Sequence, residues 1–139
     1  MEINGMAHVM LTASNFEASR KFYEKLLPFL GLKPVIQNSD IYYCVGGRTA
    51  LGIVRGDDKH RGEKFEQRRV GLHHLCFRAR SRADIDAAYQ SLKEFGATIV
   101  HPPEEGSWAP GYYSVLFEDP DGIRLEISFV PGKGLLVEK

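Results

Sequence analysis

Apolar residues recur along the chain with two periods, and the alternation between them happens twice. Near the start, Ala7, Val9 and Leu11 alternate with His8, Met10 and Thr12, the period-two pattern of a strand with one buried face. Leu75 and Phe77 alternate in the same way with His74, Cys76 and Arg78. A helical period follows each strand. Phe16, Tyr23, Leu26 and Leu27 predict a helix over 15–27, with Pro28 disfavouring its continuation. Ile85, Ala88, Tyr89, Leu92 and Phe95 predict a second over 82–95, with Gly96 suited to a left-handed cap after its last turn. Ser14 with Glu17, and Ser81 with Asp84, have the Ser-x-x-acid spacing of a capping box at the two helix starts. Three strand-like runs follow each helix, at 32–37, 40–45 and 48–54, then at 97–101, 111–118 and 123–130.

The chain therefore repeats itself. Residues 5–13, GMAHVMLTA, match residues 71–79, GLHHLCFRA, in their glycines, central histidines and final alanines, at one offset of 66. Each half reads strand-helix-strand-strand-strand, which predicts an α+β fold of two βαβββ modules, one over about 5–55 and one over about 70–131. Residues 55–69 hold ten charged side chains and are expected to be a solvated linker (about 56–69) without chemistry. A module of this length cannot bury a sheet face alone. Paired modules can, with helices covering one face and the other curving round a cavity.

Composition narrows the class. At 139 residues the chain fits one domain, 1–139, and its size buries roughly 70% of the unfolded surface without staples. Lys plus Arg and Asp plus Glu both number 18, so the basic excess of a nucleic-acid binder is missing. The longest apolar run, residues 26–32, is too short to span a bilayer, and without a basic n-region followed by an apolar h-region export is not expected. A cytoplasmic protein that acts on a small molecule is expected, with Cys44 and Cys76 as buried free thiols.

Candidate chemistry lies on the polar side of the strands. His8 and His74 occupy the same position of the two repeats and should face the cavity, whereas His73 falls on the packed face as a structural histidine. Asp119, Pro120 and Gly122 sit where a type I turn favours them. Pairing Glu118 with Ile123 then sets Val115 opposite Glu126, Phe117 opposite Arg124 and Tyr113 opposite Ser128. Leu125, Ile127 and Phe129 take the packed face, which leaves Glu126 on the open one. Two imidazoles and a carboxylate suit one zinc, iron, nickel, cobalt or manganese ion and leave coordination positions for water and substrate. Tyr43 and Tyr113 are the candidates to orient substrate or pass a proton. A turn at Gly46 and Gly47 pairs Tyr43 with Ala50 and gives it the parity of Gly52. Trp108, Pro110 and Tyr112 are candidates to cover the cavity mouth.

Three stretches resemble the vicinal oxygen chelate superfamily, the glyoxalase, bleomycin-resistance and extradiol dioxygenase group. Residues 8–12 with 22–27 are similar to its first strand and helix, residues 71–77 to its second-module opening, and residues 119–126, DPDGIRLE, to its closing motif. The resemblance implies a curved mixed sheet whose concave side carries a metal, with His8, His74 and Glu126 at the metal positions. It implies a metal-dependent lyase or dioxygenase acting on vicinal oxygens, assembled as a homodimer. One position departs: Gly52 falls where glyoxalase I enzymes carry a fourth ligand, which disfavours lactoylglutathione lyase chemistry. The alternatives are a metal-free, drug-sequestering protein of the bleomycin-resistance type and a fosfomycin-type thiol transferase. The loops after Ile99 carry no evident phosphonate-binding cluster for the latter.

Overall fold

The computed structural model describes residues 1–132; the end of the expected domain, 133–139, lies outside the described residues. The chain forms two compact units, the first ending at Lys64 and the second beginning at Phe65. Each is one module. The first contains β1 (Val9–Ala13), α1 (Phe16–Phe29), β2 (Lys33–Gln37), β3 (Ile41–Gly46) and β4 (Thr49–Arg55). The second contains β5 (Leu75–Arg78), α2 (Arg82–Glu94), β6 (Thr98–Glu105), β7 (Tyr113–Glu118) and β8 (Arg124–Phe129). The sheet orders are β1-β4-β3-β2 and β5-β8-β7-β6, so the two topologies are the same. In each, the first strand pairs in parallel with the last and the other pairs are antiparallel. No helix among the described residues is long and apolar enough to cross a membrane.

In the first module the helix covers one sheet face. Phe22, Tyr23, Leu26 and Leu27 of α1 are buried, as are Leu11, Ala13, Tyr42, Cys44, Leu51 and Ile53 of the strands. Each fully buried leucine contributes about 1.5–3 kcal/mol relative to exposure. The cap of α1 is Asn15 rather than Ser14: its side-chain oxygen accepts from Ala18 N at 3.1 Å. The helix also runs past Pro28 to Phe29. A proline in the last turn forfeits one intrahelical donor, and Leu30 N still reaches Leu26 O at 3.0 Å. In α2 the expected cap holds, with Ser81 Oγ accepting from Asp84 N at 3.1 Å.

Between the modules the polar segment contains a short 3-10 turn, Asp58–His60. Its first residue by the sequence reading, Arg55, ends β4 and ties that strand to its surroundings. The guanidinium donates to Glu17 Oε1 at 2.8 Å and Asp40 Oδ1 at 3.0 Å, and lies 4.9 Å over the Phe16 ring. The Arg55 hydrogen bond holds the Glu17 carboxyl below its ordinary range; for Asp40 the Ser39 hydroxyl does so first and Arg55 second. Both carboxylates therefore stabilise the fold above the ordinary carboxylate pKa, and that stabilisation is lost as pH falls through their lowered values. Arg55→Met should raise both pKa values in an NMR titration and flatten the acid limb of the stability curve. Unchanged titrations of Glu17 and Asp40 would show that the guanidinium does not set them.

Candidate functional site

The second module builds the site around β8. Its hairpin with β7 turns through Pro120, Asp121 and Gly122, with Gly122 N bonded to Asp119 O at 3.0 Å and Asp119 N to Ile123 O at 3.1 Å. Asp119 Oδ1 accepts from Asp121 N and Ile123 N, each at 2.9 Å. Gly122 adopts φ 83, a left-handed residue that closes a three-residue loop. This extra residue moves the register by one from the expected pairing. Glu118 pairs with Arg124, Leu116 with Glu126, Val115 with Ile127 and Tyr113 with Phe129.

A one-residue shift exchanges faces, so the expectation for Tyr113 is corrected. Its hydroxyl donates to Asp86 Oδ1 of α2 at 2.7 Å, and the Arg82 guanidinium of α2 lies 3.9 Å over its ring. Tyr113 belongs to the helix side and does not reach the open face. Val115 and Phe117 likewise join the core, both at 0% exposure. Glu126 keeps the open face, because its side follows from Leu125 and Ile127 and not from β7.

Glu126 is 8% exposed. A buried carboxylate needs partners, and each of its oxygens has one. Oε1 accepts the Tyr112 hydroxyl. Oε2 lies 3.3 Å from Nε2 of His74. His74 is oriented in turn by its other nitrogen, with Nδ1 2.8 Å from Nδ1 of His73, which is 3.4 Å from the Gln67 amide nitrogen. If the Gln67 amide nitrogen donates to His73 Nδ1, the proton between the two rings belongs to His74 Nδ1. In that tautomer His74 Nε2 turns its lone pair toward the carboxylate, and a cation or a proton between Nε2 and Oε2 would complete the pair.

These groups line a cavity of about 370 Å³ that also receives His101, Glu104, Trp108, Leu116 and Ser114. Four expectations change here. His73 is exposed and lines the cavity; β5 begins only at Leu75, so strand alternation does not reach back to residue 73. Gln67 brings a side chain from the supposedly inert linker, anchored by Phe65 N on Asp121 O at 2.8 Å. Tyr112 is more than a cover over the mouth. Gly106 permits its place, since a Cβ there would lie 2.9 Å from Tyr112 Cδ1 and 3.4 Å from Trp108 Cδ1. Burial first, then Glu126, pushes the Tyr112 phenol pKa up, so the hydroxyl stays protonated at neutral pH. Burial also pushes the Cys76 thiol up to about 11, and Cys76 Sγ donates to Ser128 Oγ at 3.1 Å. Cys76 is exposed as a residue, not buried as expected, although its sulfur sits in this network.

The first module presents a different face. β1 and β4 pair Met10 with Gly52, as β5 and β8 pair Cys76 with Glu126, so Gly52 is the repeat equivalent of Glu126. Tyr43 lies opposite Gly52, and its ring centre is 6.2 Å from that of His8. A Cβ at Gly52 would come within 2.8 Å of Met10 Cε and Sδ and of Tyr43 Cδ2; those side chains fill the place of the carboxylate. His8 directly precedes β1 as His74 directly precedes β5. Among the described residues no three His, Cys, Asp or Glu side chains already converge as a metal site.

The glyoxalase/bleomycin resistance protein/dioxygenase superfamily matches residues 5–127. An uncharacterized Bacillus subtilis protein, YqjT, is 33% identical over 88% of this chain and 96% of its own. A Bacillus halodurans crystal structure provisionally designated a glyoxalase has TM-score 0.80 and 34% identity, covering 91% of this chain and 96% of that one. The fosfomycin resistance protein FosX from Mesorhizobium loti shares the fold alone, with TM-score 0.66 and 19% identity over 93% of this chain and 94% of that one. By the extent of the family match and by the identity to these two Bacillus proteins, the chain belongs to the glyoxalase/bleomycin resistance protein/dioxygenase superfamily.

Proposed function

We propose that this chain is a metal-dependent enzyme in which His8, His74 and Glu126 hold one divalent ion and a small oxygenated metabolite binds through two adjacent oxygens. The observation that carries the reading is the 3.3 Å approach of His74 Nε2 to Glu126 Oε2, an imidazole nitrogen and a carboxylate oxygen placed to share one cation. Repeat equivalence supports His8 as the third donor. Imidazole nitrogens and a carboxylate suit zinc, iron, nickel, cobalt or manganese. A divalent ion held there supplies a Lewis acid for the substrate oxygens.

The chain's own residues do the rest. Tyr112 fixes Glu126 through Oε1 and leaves Oε2 for the ion, while His73 and Gln67 set the ring orientation of His74. Gly52 offers no fourth donor, so positions stay open for a chelating substrate. A metal-free sequestering protein has no use for a carboxylate buried to this degree beside an imidazole nitrogen on the cavity wall, which is why the enzymatic reading is preferred.

Metal analysis of the purified, reconstituted chain should give close to one divalent ion per molecule, removable by chelator. His8→Ala, His74→Ala and Glu126→Ala should each abolish retention. Tyr112→Phe and His73→Ala should weaken affinity about tenfold, as loss of a group orienting a ligand does. Tyr113→Phe and His60→Ala should leave it unchanged. Equal retention in all seven variants would overturn the assignment. In activity, a catechol or vicinal diol should compete with water for the open positions. Glutathione-dependent turnover of methylglyoxal should stay at background, because glyoxalase I chemistry uses the fourth ligand for proton transfer. Robust methylglyoxal turnover by the unaltered protein would contradict the role given to Gly52.

A further inference from the structure

The charges round the second-module cavity select its occupant. Among the described residues neither lysine nor arginine lines the cavity, whereas Glu104, Glu105 and Glu126 do. Two of these carboxylates are engaged. Glu105 accepts from Arg82 at 3.0 Å, and Glu126 is held by Tyr112 and His74. Glu104 is different. Its nearest cationic candidate, His101 Nδ1, stands 3.5 Å away and already points its proton to the Pro102 carbonyl at 2.8 Å. The Glu104 side chain is 59% exposed, a solvent-accessible carboxylate at the cavity wall that meets no lysine or arginine among the described residues and has only His101 beside it. Arg78, on the neighbouring β5, donates to the Gly132 carbonyl at 3.2 Å and does not line the cavity. The aromatic walls are Trp108, whose residue is 77% exposed, and Tyr112.

We infer that this cavity takes a neutral or cationic aromatic ring bearing vicinal hydroxyls, of the catecholamine class, and discriminates against the corresponding carboxylate or phosphonate. The vicinal hydroxyls rest on the metal reading above; the sign of the charge rests on the lining alone. Trp108 offers a ring face for stacking and a cation–π contact for an ammonium, and Glu104 offers that ammonium a counter-charge. An anionic substituent meets Glu104 with no lysine or arginine among the described lining residues to offset it.

Trp108 is the chain's one tryptophan, so its fluorescence reports occupancy directly. The zinc-loaded chain is titrated with catechol, dopamine and 3,4-dihydroxybenzoate, which offer the same two hydroxyls and differ in remote charge. Dopamine should bind about tenfold more tightly than dihydroxybenzoate, with catechol between them, and the gap should shrink severalfold in Glu104→Gln. Trp108→Phe removes the signal, and calorimetry on that variant should reproduce the order. Dihydroxybenzoate binding as tightly as dopamine, or none of the three binding, overturns the inference. Repeating the titration after chelator treatment separates the two readings. All affinities should fall while the amine-over-carboxylate preference persists. Affinities that do not fall count against the metal, whereas a preference that vanishes counts against the role of Glu104.

Discussion

A carboxylate carried into the interior of a sheet constrains everything around it. Glu126 stands on β8 between Leu125 and Ile127, at 8% exposure, where an unpartnered charge would be costly. The surrounding chain meets that demand from three directions. Tyr112 arrives from the loop ahead of β7, His74 from the residue ahead of β5, and Gln67 from the segment between the modules through His73. Only the Tyr112 hydroxyl is a settled donor. With the proton of His74 on Nδ1, the imidazole side presents a lone pair, and a cation or a proton between Nε2 and Oε2 completes the arrangement.

The two modules share a topology and divide the chemistry. Where the second has Glu126, the first has Gly52, and the freed volume goes to Met10 and Tyr43. The histidine ahead of each first strand is retained in both. A duplicated scaffold thus supplies two repeat-equivalent imidazoles and one carboxylate, and in the metal site proposed above that asymmetry would leave coordination positions open.

Much of this was legible in the residues because period-two alternation identifies faces, and faces survive errors that preserve parity. Tyr43 shows this. The expected turn paired it with Ala50, but Gly47 and Arg48, at φ 57 and 62, form the two-residue turn and pair it with Gly52. A shift of two residues leaves its face unchanged. Tyr113 shows the converse, since the left-handed Gly122 adds one residue to the β7–β8 loop and sends Tyr113 to α2 and Tyr112 to the cavity side. Asp-Pro-Asp-Gly announces a turn without fixing its length. His73 and Gln67 lie outside regular strands, where alternation carries no information about direction. The helices were read almost to their ends, with the Asn15 cap and the passage through Pro28 decided by single local hydrogen bonds.

The central claim is the identity of the donors round one divalent ion, and X-ray absorption at the metal edge of the zinc-loaded protein measures it most directly. The account predicts a shell of nitrogen and oxygen at about 2.0–2.2 Å with the outer scattering of two imidazoles, and no sulfur at about 2.3 Å. In Glu126→Ala the shell should not form at one ion per chain. A sulfur scatterer would bring a cysteine or methionine into the shell, and a shell without imidazole would remove His8 and His74 from the site; either result contradicts the account.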